Sequence, residues 1–450
     1  MRRVAFAVLV AAAGQAWASG FSLYEYSAAS HAMAGAVIGK AVDASANFFN
    51  PATLDDLTNI QFTVGFVTEH PRGRVRVNDG SSQTFDRGFF FLPHLQASMP
   101  LPTDFTLGLG LAPEFGLGTD YGDKWTMNWN SVDTMVQGYV ISPNLSYAIT
   151  EDWSVGAGLR FLYFDFEQWS SPMATAGGVP YGTVDNRLKG NNRFADWGWQ
   201  VGTRYRICDG LAVGLVYKSP IDVTVKGRTS TTVSAYDFTA AEAARAKAEA
   251  EYAAYGRTVS RMAGDKAYSV AQGMIVDQVG RGARAANGAA SADLELPQSV
   301  AFGANWDITD RWHLGGAISW TQWSTIDTLN FRLAGGDKPV ELNWTDTCRF
   351  SISPSWDFAD DWTAILGYTY DMDCCSSNQA STMLPPADRH ILTGGIVWRG
   401  WGGLELALSY GIIFMQGHDM TTRDALGRDW TLETSWGFCH SGGFSVTYRF

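Results

Sequence analysis

Seven histidines and five cysteines are the residues of this chain best suited to hold a metal or to act as nucleophile or base. His31, His70, His94, His313, His390, His418 and His440 are scattered along the chain, with none of the close spacing a metal site uses. A serine hydrolase would present its nucleophile on a sharp turn, and no G-x-S-x-G elbow occurs. No metal, cofactor or catalysis is expected, so the chain is not read as an enzyme. The remaining candidates are the thiols of Cys348, Cys374 and Cys375 and the cations Arg160 and Arg349. What these do depends on which way their strands turn them.

Composition narrows the partners. Charged residues make up 17% and the net charge is -12, with no basic stripe, which argues against nucleic acid. Arg2 and Arg3 precede an apolar run from Val4 to Gly14, and Ala16-Trp17-Ala18 supplies an A-x-A cleavage site. Residues 1–18 read as a secretory signal peptide. Downstream, no stretch reaches the ~18 consecutive apolar residues of a membrane helix.

The dominant pattern is instead a period of two. Phe444, Val446, Tyr448 and Phe450 alternate with Ser445, Thr447 and Arg449, and Trp153, Val155, Ala157, Leu159 and Phe161 alternate with Ser154, Gly156, Gly158 and Arg160. Such alternation marks strands with two unlike faces. A soluble sandwich alternates too, but these runs are about nine to eleven residues long, enough to cross a bilayer when tilted. Their connections alternate between short turns ("TED", "CDG", "DITD", "ADD") and the long stretches 70–88, 168–194, 221–295 and 324–345. Trp153, Trp312 and Trp362 follow short turns, where indoles would form an aromatic girdle. The fold class is therefore all-β: a transmembrane antiparallel β-barrel of about 14 strands over 60–450, in the Gram-negative outer membrane. Outer-membrane lipid and lipopolysaccharide would surround a monomer.

The inward positions carry Gly, Ser, Ala and Thr, which leaves room for something inside. Residues 19–59 are the candidate. Pro113 falls where the third strand should still be crossing, and Glu114-Phe115-Gly116 follows it; a proline and an interior glycine there mark either a bend or the strand's end at the outer rim. A bend would need its unpaired backbone satisfied from within. Asn50-Pro51-Ala52 is either an ordinary turn or a rigid corner suited to that task. Within 221–295, "TAAEAARAKAEAEYAAYGR" reads as a helix, with a capping box at Thr239 to Glu242. Hairpin pairing about the "ADD" turn brings Cys348 close to Cys374 and Cys375, so a rim disulfide or free or ligated thiols are the alternatives.

The stretch "SGFSLYEYSAASHAMAGA…NFFNPATL" resembles the N-terminal hatch of the FadL family of outer-membrane channels for long-chain fatty acids and hydrophobic compounds. The likeness continues in order through "LPTDFTLGLGLAPEFGLGTDY", "ISPNLSYAITEDWSVGAGLRFLY", "LELPQSVAFGANW" and "LPPADRHILTGG". The resemblance implies a hatch that includes Phe21, Asn50, Pro51 and Ala52, and ligand exit sideways at a bend spanning Pro113 to Gly116. It implies capture in an apolar outer groove, to which Trp169, Met173, Val179 and Tyr181 would contribute. It also implies basic residues from strands five and ten for a fatty acid. Here those stretches carry Asp165, Glu167 and Thr345, leaving Arg160 and Arg349 as the candidate cations and a neutral aromatic hydrocarbon as the other candidate ligand. A surface-display barrel, acting as adhesin or phage receptor through its loops, is the alternative function.

Overall fold

A computed structural model describes residues 20–86, 88–171, 173–176, 179–235, 287–334, 337–375, 382, 388–417, 419–423, 428–434 and 437–450. The leader and the 239–262 helical stretch lie outside them. The alternating runs become one antiparallel wall of 14 strands. In chain order they are β1 Gln61–Val77, β2 Phe90–Pro100, β3 Phe105–Asp120, β4 Asp133–Ala148 and β5 Trp153–Ser170. The next five are β6 Asp196–Cys208, β7 Leu211–Lys218, β8 Ser299–Asp307, β9 Trp312–Thr321 and β10 Thr347–Ala359. The last four are β11 Trp362–Asp371, β12 Asp388–Arg399, β13 Leu404–Gln416 and β14 Gly437–Arg449. The wall closes where β1 pairs β14, from Gln61↔Arg449 to Arg72↔Phe438.

Side-chain direction follows the pleat. On β1, Phe62 and Val64 are exposed while Gln61 and Thr63 are buried. The apolar face is thus outside, where lipid replaces water, and the polar face lines the lumen. Trp312 and Trp356 stack on the outer face with ring centroids 5.5 Å apart. Trp362 and Trp398 follow at 6.2 Å, so the indoles form a band beside the short turns.

Several strands run well past the expected length; β5 has 18 residues. The long connections are also more ordered than their length suggests. Val179–Asn191 pairs the outer end of β5 and also Ile221–Ala235, which in turn pairs Gly288–Leu296. Val223, Val225, Thr229 and Thr231 explain this, since β-branched residues suit a pleated surface. The chain therefore builds a skirt of hairpins above the membrane-spanning wall.

Residues 20–59 lie inside the lumen. This segment contains α1 Ala28–Ala32, α2 Ala46–Phe49 and a 3-10 turn from Pro51 to Asp56. It buries Tyr26, Phe48, Phe49 and Leu54. The small inward side chains of the wall are what admit it. A Cβ on Gly156 of β5 would stand 2.4 Å from the backbone of Pro51 and Ala52, and one on Gly214 of β7 would stand 2.1 Å from the Ile38 carbonyl. Only glycine allows so close an approach. The wall's polar side chains then satisfy main-chain groups of the segment. Thr393, Thr369 and Asn305 donate to the carbonyls of Ala32, Ala34 and Ala36 at 2.8, 3.1 and 2.9 Å. His31 is held between Ser409 and Ser441.

Candidate functional site

The site is organised around a fault in β3. Strand β3 passes through Pro113 to Asp120, so the proline sits within the strand and not at its end. In the ladder with β4, Pro113 faces Tyr139 and Phe115 faces Gly138, leaving Glu114 as the extra residue of a bulge. Ala112, Pro113, Glu114 and Phe115 are all buried, which breaks the in-out alternation. On the other side the ladder with β2 runs from Pro100↔Thr106 to Leu95↔Leu111 and goes no further. Phe90 to Pro93 pair β1 alone. Among the described residues, a gap between β2 and β3 begins just past Leu111.

The lumen segment covers the bend. Leu23 N–H donates to the Glu114 carbonyl at 2.9 Å, and Gly116 N–H donates to the Phe21 carbonyl at 2.9 Å. Backbone that the wall leaves unpaired is thus satisfied from inside. The residues that do this are Phe21 to Leu23, which corrects the expected role of Asn50-Pro51-Ala52. Asn50 lies elsewhere, against β6: its amide donates to the Thr203 and Ile38 carbonyls, and its Oδ1 accepts from Ala52 N–H. Pro51 and Ala52 begin a 3-10 turn packed on Gly156.

The Glu114 side chain points inward into a cluster of charge. Its Oε2 accepts from Arg160 Nε at 3.2 Å and Nη2 at 2.9 Å, and its Oε1 accepts from Lys218 Nζ at 2.5 Å. Arg160 is 2% exposed and also donates to the Ser219 carbonyl at 3.1 Å. Arg349 lies across the same lumen, 3.6 Å from Asp371 and with its guanidinium 4.1 Å from the Tyr24 ring. Arg160, Lys218, Arg349, Glu114 and Tyr26 all line one cavity of about 50 Å³. Lys218 escaped the sequence reading, although its register was legible: Ala212, Gly214, Val216 and Lys218 share the inward parity of β7.

Two largely apolar cavities flank this cluster, the second also lined by Glu69, Gln137 and Arg389. The outer one, about 80 Å³, is lined by Phe21, Phe164, Phe166, Leu188, Phe331 and Trp344. The other, about 130 Å³, lies behind the gap and is lined by Leu23, Phe91, Leu92, Pro113, Phe115 and Tyr139. Val136 borders both. Phe21 stands between them, its ring 5.9 Å from Phe115, 4.9 Å from Trp323 and 5.9 Å from Trp344. Trp169 lies beneath the Arg187 guanidinium at 4.5 Å. Met173, Val179 and Tyr181 sit on strands, but their side chains lie outside the described residues.

The thiols are not bridged. All five cysteines are free, and Cys374 Sγ is 3.7 Å from Cys375 Sγ. The pleat gives the reason: Thr347 and Arg349 face the lumen, so Cys348 shares the outward parity of Phe350, whereas Cys374 is buried in the interior cluster.

A closed antiparallel wall with an apolar exterior, a filled lumen and apolar cavities beside a fault in one strand defines an outer-membrane transport barrel. The chain belongs to the family of outer membrane transport proteins described as OMPP1/FadL/TodX, whose profile matches residues 9–450. It is a protein of the Gram-negative outer membrane. A long-chain fatty acid transport protein of Salmonella typhi is 21% identical, with 94% of this chain and 95% of the relative aligned. Outer membrane protein P1 of Haemophilus influenzae is 22% identical, over 89% of this chain and 87% of the relative. Among solved structures, a Pseudomonas aeruginosa FadL homologue superposes with a TM-score of 0.75 at 19% identity, covering 96% of this chain and 100% of that one. The Pseudomonas putida toluene transporter TodX gives 0.69 at 18%, covering 96% and 99%.

Proposed function

We propose that this chain is a passive channel for hydrophobic small molecules that releases them sideways through the wall. The observation that carries the reading is the end of the β2–β3 ladder at Leu95↔Leu111, with an apolar cavity directly behind it. Ligand would be captured outside by the hairpins that carry Trp169, Met173, Val179 and Tyr181. It would then occupy the cavity under Phe166 and Trp344, pass Phe21 of the hatch and leave between β2 and β3. No energy input is needed, because each step moves apolar surface between apolar surroundings. The closed wall completes its own lumen, which supports action as a monomer in outer-membrane lipid beneath lipopolysaccharide.

Long-chain fatty acids are favoured as the ligand class by Arg160 and Lys218, two buried cations that share one carboxylate. A carboxylate head group beside them completes the balance of charge, while its chain fits the apolar cavities. Uptake by cells lacking their own channels tests this, comparing a long-chain fatty acid with a neutral aromatic. A variant with Pro113 to Gly116 deleted removes the bulge together with the three ladder pairs that surround it. Uptake lost in that variant supports lateral release, and the better-transported probe names the class. No uptake of either probe by the folded wild type would shift the assignment to surface display.

A further inference from the structure

Glu114 makes two kinds of contact at once. Its carboxylate occupies Arg160 and Lys218, and the three side chains are almost sealed from solvent, at 3% exposure for Arg160, 5% for Glu114 and 13% for Lys218. Its main-chain carbonyl accepts from Leu23 N–H, one of the two bonds that hold the hatch across the bend. The second bond, from Gly116 N–H to the Phe21 carbonyl, lies two residues along the same strand. Because Glu114 is the bulged residue, the strand is already locally free of regular pairing there. The residue whose carboxylate holds the two cations is therefore also the residue whose carbonyl holds the segment that closes the lumen.

We propose that Glu114 is a built-in counter-ion that competes with an anionic ligand and couples occupancy of the cation pair to release of the hatch from β3. The proposal rests on the fatty acid reading above. Before ligand arrives, Glu114 holds both cations and keeps the bulge fixed. An arriving carboxylate takes over donors of Lys218 and Arg160. Glu114 then loses partners at a buried position, which a carboxylate tolerates poorly, and turns away. The bulge shifts with it, and the bonds at Leu23 and Gly116 loosen beside the gap. A neutral ligand lacks this lever, since it leaves the ion cluster intact. Glu114 would thus set specificity as well as position the hatch.

The test uses the full chain folded in detergent micelles, with a long-chain fatty acid and the alcohol of the same chain length as probes. Removing one buried negative charge beside two cations predicts that Glu114→Gln binds the acid about tenfold more tightly and the alcohol with unchanged affinity. In the wild type, the acid should speed amide exchange at Leu23 and Gly116, and the alcohol should not. If both probes bind but Glu114→Gln leaves their ratio unchanged, or exchange at those amides ignores the acid, the proposal is overturned and the channel reading stands. If neither probe binds the wild type, the channel reading falls and the proposal with it. Should Glu114→Gln fail to fold, the wild-type exchange comparison decides alone.

Discussion

The side-chain amide of Asn50 donates to the carbonyl of Thr203 on β6 at 3.1 Å, hanging the hatch from the wall near the short turns. That amide also donates to Ile38 at 2.9 Å, while the Asn50 Oδ1 caps the following 3-10 turn through Ala52 N–H. One side chain therefore serves three main-chain groups of three separate segments.

Asn50→Ala leaves the buried Ile38 carbonyl, the half-buried Thr203 carbonyl and the Ala52 N–H without these partners. The expected cost is about 1–3 kcal/mol, from lost caps and unmet polar groups. Exchange at residues 51–56 should rise while the barrel keeps its heat-modifiable gel mobility. Unchanged exchange would remove Asn50 from the anchoring of the hatch.

Gly156→Val tests the fit from the wall side. Its Cβ would meet backbone atoms of Pro51 and Ala52 at 2.4 Å, and backbone cannot step aside as a flexible side chain does. The expected outcome is a folded barrel with a displaced hatch, seen as raised ion conductance in planar bilayers. Conductance equal to the wild type would show that the segment can shift without opening the lumen.

Much of this architecture could be read from residue order. The outward Phe62 and Val64 and the girdle at Trp312 and Trp362 follow from a period of two, which any strand with lipid on one side must show. Pro113 marks a break in that period, which fits either a bend or the strand's end; its place within β3 decides for the bend. The hatch has no period, so its contacts were not legible, and the partner of the bend proved to be Phe21 to Leu23 instead of Asn50. Lys218 had a readable parity, but its meeting with Glu114 depends on the bulge, which only three-dimensional register reveals. The outer hairpins are legible in the Val and Thr content of 221–235, a signal that the length of the connection and its helical stretch obscure.

Acidity should tighten the end of the hatch. Burial pushes the Asp55 carboxyl up to about 6, against the opposing pull of Arg204 beside it. A raised value means the folded state favours the protonated form. The contribution of Asp55 to stability is then fully present below the ordinary value of 3.8 and is lost as pH rises through about 6. Asp55→Asn should hold that contribution at every pH. Thermal melting of the folded barrel should therefore fall less for the variant than for the wild type as pH rises across this window. Parallel curves would contradict the assignment.

Thiol labelling separates the cysteines by face. Cys208 is exposed and should react first with a maleimide, whereas Cys374 and Cys439 are buried and should react only after unfolding. Peptide mapping without reductant should find Cys348 unlinked. A peptide pair joining Cys348 to Cys374 or Cys375 would contradict the outward parity assigned to it.

The threonine and asparagine donors to Ala32, Ala34 and Ala36 have a consequence for how such a chain can evolve. They grip peptide carbonyls, which every amino acid carries, so the wall recognises the path from Ala32 to Ala36 without reading its letters. Small side chains at those three positions leave the bonds intact, whereas His31 and Asn50 are held by their own side chains. Lineages can then rewrite the lumen, and with it the preferred cargo, while inheriting the same stopper.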